Sequence, residues 1–203
     1  MDTYDVRTAL PDLYAPKAGR FTIVDVPTQA FLAVDGQGDP NVSEAYAAAV
    51  SALYAVAYGV KFASKADGRN LVVAPLEGLW RADDMSAFTG RDKQAWQWTM
   101  LISQPSWITP GVVDAAVSKA GAKKDHSSAL GSVRLTTLSE GRSVQTLHIG
   151  SYDDEAPVLH RLHHEFMPEH GLTFAGDHHE IYLSDPRRTA PERLRTVLRQ
   201  PVS

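Results

Sequence analysis

The chain has 203 residues, of which 43% are hydrophobic and 22% charged, enough for one substantial core or two closely joined small modules. A formal net charge of -4 with scattered Lys and Arg offers no basic stripe along a phosphate backbone, so a nucleic-acid partner is not expected. With no cysteine there is no disulfide framework, thiolate nucleophile or cysteine-ligated metal, and with no run read as a signal peptide or bilayer span the expected setting is cytoplasmic and free of membrane.

Residues 1–19 form a polar arm containing Pro11 and Pro16, with no periodic face to bury, and it is expected to be dispensable for any binding site. From residue 20 to residue 203 a single domain is expected. Phe21 to Val34, rich in Ile, Val and Phe, reads as a first strand kinked at Pro27. After the Gly36–Pro40 loop, Asn41 or Ser43 caps an alanine-rich helix running to about Val60, with Tyr46, Val50, Tyr54 and Tyr58 on one stripe. Leu71 to Trp80 is a second strand interrupted by Pro75 and Gly78, Arg81 to Lys93 a polar excursion, and Gln94 to Gln104 a third strand. In that third strand Trp96 and Trp98 share a face.

Thr109-Pro110 opens a short peripheral helix over about 109–123. Val133–Leu138 and Val144–Ile149 read as a hairpin turning at Glu140-Gly141. Tyr152-Asp153-Asp154-Glu155 begins another helix, its acids placed where the macrodipole favours them, with Val158, Leu159, Leu162 and Phe166 inward and Gly171 as the stop. Leu172–Leu183 and Arg195–Pro201 are the last strands. The pattern is α+β: a strand-helix-strand-strand module over about 20–104 and another over about 141–203. Each is too small to cover its own sheet, so the two are expected to pack as a pseudo-symmetric pair.

The segment from His178 to Pro186 carries the clearest functional signal. With a strand period of two, His178, Glu180, Tyr182 and Ser184 share one face, and His179, Ile181 and Leu183 the other. Glu180 is then either a solvated edge or the floor of a pocket. Trp96 and Trp98, adjacent on one face, read as a flat stacking wall for a planar guest, with core packing as the alternative. Trp80 stands at a rim or in the core. Of Tyr54 and Tyr58, one is assigned to the core and one to the pocket. Glu77 has the wrong parity to join Trp80 without a bulge at Gly78, and His148 fits a satisfied structural histidine. His160 and His164 have zinc-compatible spacing but no HExxH context, so they are read as a solvated face; no metal and no cofactor is expected.

The runs Leu76-Glu77-Gly78-Leu79-Trp80, Trp96-Gln97-Trp98 with Ile102-Ser103-Gln104-Pro105, Gln145 to Tyr152, and His178 to Arg188 resemble the GyrI-like small-molecule-binding family, related to the effector-binding domains of multidrug-sensing transcription regulators. The resemblance implies a groove between the two modules, aromatic walls and a central glutamate, matched here by Glu180, and it keeps Glu77 in play. The DNA-binding helices of those regulators have no counterpart before Phe21, so a stand-alone member is expected. The resemblance also points to the subset that hydrolyses cyclopropanoid alkylating agents, beside members that only bind aromatic cations. Its implied partner is a planar aromatic or cationic small molecule; the oligomeric state is left open. In the hydrolytic reading Glu180 activates water, and Tyr54, Tyr182 or His148 donates to the developing oxyanion. The alternative is a binding, sequestering or sensing protein without turnover.

Overall fold

The computed structural model describes residues 3–82 and 93–203; most of the polar excursion expected at 81–93, with Asp83, Asp84, Gly90 and Asp92, lies outside the described residues. In chain order the elements are β1 (Thr3–Tyr4), α1 (Val6–Ala9), α2 (Pro11–Tyr14), β2 (Thr22–Val26), β3 (Gln29–Gln37), α3 (Glu44–Ala66), β4 (Asn70–Leu71), β5 (Leu76–Arg81), β6 (Gln97–Gln104), α4 (Pro110–Gly121), β7 (Arg134–Leu138), β8 (Gly141–Ile149), α5 (Ala156–Arg161), α6 (Met167–Glu169), β9 (His178–Tyr182) and β10 (Arg195–Pro201). A π-helical turn at Leu162–Phe166 joins α5 to α6.

The main sheet runs β2-β8-β10-β9-β5-β6-β3-β7. Its middle is the antiparallel β9–β5 pair, one strand from each module, and outward from it β10 matches β6, β8 matches β3 and β2 matches β7. The α+β duplication read from the pattern is therefore present, but the first strands of the repeats are exchanged. Glu140-Gly141 is not a hairpin turn: β7 pairs with β3 and β8 with β2. The register that sets Thr22 opposite Gln145 and Val26 opposite Gly141 continues to set Gln29 opposite Leu138 and Ala33 opposite Arg134. The kinked first strand and the supposed hairpin are thus one long ribbon. It breaks only around Pro27, which has no N–H to give, where the Thr28 and Ser139 hydroxyls bond across 2.6 Å. Because this ribbon joins both ends of the strand order, the sheet curls back on itself.

Ser43 starts α3 by accepting a 3.2 Å hydrogen bond from the Tyr46 N–H, and the alanine-rich body carries the helix past the expected end at Val60. Ala49, Ala52, Leu53, Val56, Ala57 and Val60 recur at helical spacing and are buried against the sheet. Burying Leu53, Val56 and Val60 fully contributes about 1.5–3 kcal/mol each. By length and composition alone α3 could cross a bilayer, contrary to the expectation that no segment would; here its apolar stripe is part of the core. The helix expected to be peripheral, α4, packs on α3, burying Val113, Ala116 and Ala120. A Cβ at Gly59 would lie 3.0 Å from that of Ala116, which is why a glycine stands at the crossing.

The N-terminal arm packs into the fold, although the sequence shows no periodic face for it to bury. β1 pairs in parallel with β4, Val6, Leu13 and Tyr14 are buried, and Arg199 and Gln145 donate to the carbonyls of Leu13 and Asp12. Two single turns, α1 and α2, bury isolated apolar residues without the sustained period that a sequence reading detects.

Candidate functional site

Between the helices and one face of the sheet lies a cavity of about 1150 Å³, slightly larger than the usual small-molecule site. The central strand pair builds its floor. On this face the register places Leu76 beside Tyr182, Gly78 beside Glu180 and Trp80 beside His178. Strand parity thus works as read, with Glu180 facing the cavity and His179 and Ile181 buried on the other side.

Trp80 Nε1 donates to Tyr182 Oη at 3.0 Å, and the Tyr182 hydroxyl donates to Glu180 Oε2 at 2.8 Å. Both contacts pass over Gly78. A Cβ there would lie 2.9 Å from Trp80 Nε1 and 3.2 Å from the Tyr182 hydroxyl, so the bridge requires glycine at this position. His178 Nε2 stands 3.5 Å from Glu180 Oε1, and among the described residues neither of its ring nitrogens has a hydrogen-bond partner. Burial, followed by the charge of Glu180, lifts the Tyr182 phenol well above its ordinary range.

The aromatic wall differs from the expected pair. Pairing of β6 begins at Gln97, so Trp96 precedes the strand and need not share a face with Trp98. Trp98 is 1% exposed, does not line the cavity, and donates from Nε1 to the Gly38 carbonyl at 3.3 Å. Its ring occupies the space a Cβ at Gly36 would need. Trp96 does line the cavity, edge-to-face with Trp80 at 5.7 Å between centroids. Tyr46 from α3 also lines it, stacking on Trp80 at 6.4 Å and meeting the Trp98 ring edge-on at 5.3 Å.

Tyr54 and Tyr58 both reach the cavity lining, Tyr54 half-buried and Tyr58 exposed, so neither is the core residue expected of one of them. His148 and Glu77 do not line it. His148 is buried, with Nε2 3.0 Å from the Ser151 carbonyl; it holds the loop leading into α5. Glu77, 0% exposed, lies on the opposite face, where it accepts from the Tyr14 hydroxyl at 2.8 Å. No bulge at Gly78 rescues its parity, because β5 pairs with β9 without interruption from Leu76 to Trp80. The His160 and His164 rings meet at 4.7 Å, tilted by 45° to each other, away from the cavity, and among the described residues no three His, Asp or Glu side chains converge on a metal position.

Sequence reasoning missed Glu155 and Tyr152. Glu155 was assigned to the acidic first turn of a helix, but it makes no capping hydrogen bond; it is 5% exposed and lines the cavity. Burial first, then the charge of Glu180, pushes its carboxyl up to about 10, so it holds its proton at neutral pH. Thr196 is close enough to favour the charged form, yet among the described residues neither Glu155 Oε1 nor Thr196 Oγ1 has an aligned partner. Tyr152 stands edge-on to Tyr182 at 5.7 Å, its phenol pushed up to about 12 by burial, then Glu155 and Glu180. An acid beside a proline-containing helix start gives no sign in the sequence of whether it faces solvent or cavity.

At the mouth the cations are already matched to their own acids. Arg187 forks onto Asp185 with two 3.0 Å bonds, and Arg7 pairs with Asp5 at 2.7 Å. Lys93 lies 4.0 Å from Asp153 and 5.7 Å over the Trp96 ring. The interior can therefore hold a flat apolar guest against indoles and phenols, with a carboxylate at the floor and a protonated carboxyl in its wall.

The model of the GyrI-like small molecule binding domain matches residues 20–203. Among solved structures, an uncharacterized conserved protein from Listeria innocua is 39% identical with a TM-score of 0.89, and a hydrolase from Listeria innocua is 38% identical with a TM-score of 0.84; each alignment covers 98% of both chains. The EcmrR C-terminal domain shares the fold alone, at 10% identity and a TM-score of 0.57 over 91% of this chain and 97% of that one. No curated protein matches. With a match over nearly its whole length, this chain belongs to the GyrI-like small-molecule-binding family.

Proposed function

We propose that the cavity binds planar aromatic or cationic hydrophobic molecules and adds water to strained, conjugated cyclopropanes of the cyclopropanoid genotoxin class. The observation that carries this reading is Glu180 on the floor of an aromatic chamber, oriented by the Trp80–Tyr182 bridge. The similarity to a hydrolase from Listeria innocua supports turnover as well as binding. Glu180 takes a proton from water, the water oxygen bonds to the electrophilic ring carbon, and the strained C–C bond sends its electron pair through the conjugated system to a remote oxygen. Tyr182 is committed to Trp80 and Glu180, and His148 lies outside the cavity, so Tyr54 is the donor for that oxygen. Trp80, Trp96 and Tyr58 line the path of the guest.

The test is mass spectrometry of a duocarmycin-type compound incubated with the protein and with Glu180→Gln. A gain of one water, slowed about 100-fold or more in the variant, is expected for loss of a general base. Undiminished hydrolysis in a folded variant would remove Glu180 from the role. Tryptophan quenching by the same compound without any product would identify a sequestering or sensing protein instead, the reading that a Glu180 carboxylate on the floor of an aromatic chamber also supports.

A further inference from the structure

Glu155 is a buried carboxyl in the cavity wall that this ring opening leaves unused. When a conjugated cyclopropane opens, negative charge gathers on an oxygen several bonds from the attacked carbon, so its donor stands far from the base. Glu155 stands with the base. It lines the same chamber, Glu180 is the strongest charge acting on it, and Thr196 beside it is the register partner of Tyr182, which holds Glu180. Its Oε1 is buried without a hydrogen-bond partner among the described residues, a costly arrangement unless a guest completes it. Two carboxyls in one chamber, one a donor and the other an acceptor of protons, form an acid–base pair for a substrate whose leaving atom is next to the attacked carbon.

A strained ring meets that requirement when its leaving atom is bonded directly to the attacked carbon, as in an oxirane. We propose that the cavity hydrolyses aryl-substituted epoxides to vicinal diols, with Glu155 as acid and Glu180 as base. The proposal rests on the assignment of Glu180 made for the cyclopropane reaction. Glu180 removes a proton from water as the water oxygen bonds to the benzylic carbon. The C–O bond of the oxirane breaks, its electron pair stays on oxygen, and that oxygen takes the proton of Glu155. Glu180 is left protonated and Glu155 ionised, and transfer of one proton from the first to the second through solvent restores the site. No oxidant or cofactor enters the balance. The aryl group is required because the chamber walls are Trp80, Trp96 and Tyr46, and because a benzylic carbon carries developing positive charge toward Glu180.

Styrene oxide in isotopically labelled water is the probe, with the full chain and a duocarmycin-type cyclopropane assayed in parallel. The expected product is phenylethanediol carrying one solvent oxygen, formed at least tenfold faster than in buffer, and slowed about 100-fold in kcat by Glu155→Gln and by Glu180→Gln. No diol above the buffer rate, with cyclopropane hydrolysis intact, overturns this proposal and leaves the first reaction standing. Loss of both reactions in the unaltered chain overturns both. Diol formed at full rate by a Glu155→Gln protein with native circular dichroism overturns the acid assigned to Glu155.

Discussion

The two faces of β9 carry opposite kinds of polar chemistry one residue apart. On the closed face His179 lies between two carboxylates, Nδ1 2.9 Å from Glu140 and Nε2 3.0 Å from Glu77, the second an ion pair out of line for a hydrogen bond. Arg199 completes the cluster, donating to Glu140 at 3.0 Å, to Gln145 at 3.1 Å and to the Leu13 carbonyl at 3.0 Å. Two acids meet two bases, and Tyr14 supplies the remaining donor to Glu77. On the cavity face Glu180 is held by Tyr182 and meets only the His178 ring at 3.5 Å, with no Arg or Lys on it among the described residues, where His178, Glu155 Oε1 and Thr196 Oγ1 also lack hydrogen bonds. The closed face balances its charges, with the ion pair of His179 and Glu77 as its one contact out of hydrogen-bond line, and fixes how the arm and the long ribbon dock. The open face leaves groups for a guest to satisfy, and unmet polar groups in a cavity are what binding and catalysis use.

The largest way to test this contrast is to break the closed face. His179→Ala leaves Glu77 and Glu140 buried together, and the expected loss is about 3–5 kcal/mol of folding stability, read from urea denaturation. A loss below about 1 kcal/mol would mean the cluster does not hold the ribbon and arm together. The pH dependence has a defined sign. Burial pushes His179 down, but the charges and bonds of Glu140 and Glu77 more than offset it and raise it to about 9. Its contribution is therefore complete below the ordinary histidine value near 6.5 and is lost as pH rises from there through 9. Glu140 behaves oppositely: burial pushes it up, but His179 and Arg199 pull it down to about 2, so its contribution is present above about 4.5 and fades as pH falls toward 2.

Next in size, the two indoles that the sequence pairs should separate. Trp98→Ala empties a fully enclosed site between Gly36 and Tyr46, with an expected cost of about 3–5 kcal/mol in stability. Trp96→Ala should leave folding nearly unchanged and weaken a planar aromatic cation by about 1–2 kcal/mol, measured by fluorescence titration. Equal effects of the two substitutions on affinity would restore the paired wall. Smaller again, Tyr14→Phe removes one donor from Glu77 at an expected cost of about 1–3 kcal/mol. A neutral result there would show that the arm's phenol adds nothing to the closed face.

Much of this architecture was legible because periodicity reports faces. The alternation around Glu180 placed it opposite Ile181, and the duplicated pattern gave the α+β class. What parity cannot report is where pairing begins and with whom. Trp96 and Trp98 have the spacing of one face, but the strand starts between them. Val133–Leu138 and Val144–Ile149 have the pattern of a hairpin, and only the long-range partners β3 and β2 show that they form a ribbon. Glu77 has the wrong parity for the cavity, and its meaning lies in His179, Glu140 and Arg199, distant in sequence. Glu155 was hidden because an acid at a helix start has a sufficient local explanation.

That residue gives the subtlest test of the contrast, because an unsatisfied functional group should weaken the fold that carries it. In the folded protein Glu155 titrates near 10, and in the unfolded chain near the ordinary 4.5. Between those values the folded state holds a proton the unfolded state has released, so this group's contribution to stability falls steadily as pH rises from 4.5 toward 10. Glu155→Gln keeps the shape and a donor without titrating. The variant should match the parent near pH 4.5 and become progressively more stable than it by pH 8, by about 1–2 kcal/mol after relaxation and water entry are allowed for. Thermal melts of the two proteins across that range provide the measurement. If the difference stays constant with pH, Glu155 is ionised in the cavity like an ordinary surface acid; if it grows, the open face holds a protonated carboxyl at a cost in stability that the closed face has no reason to bear.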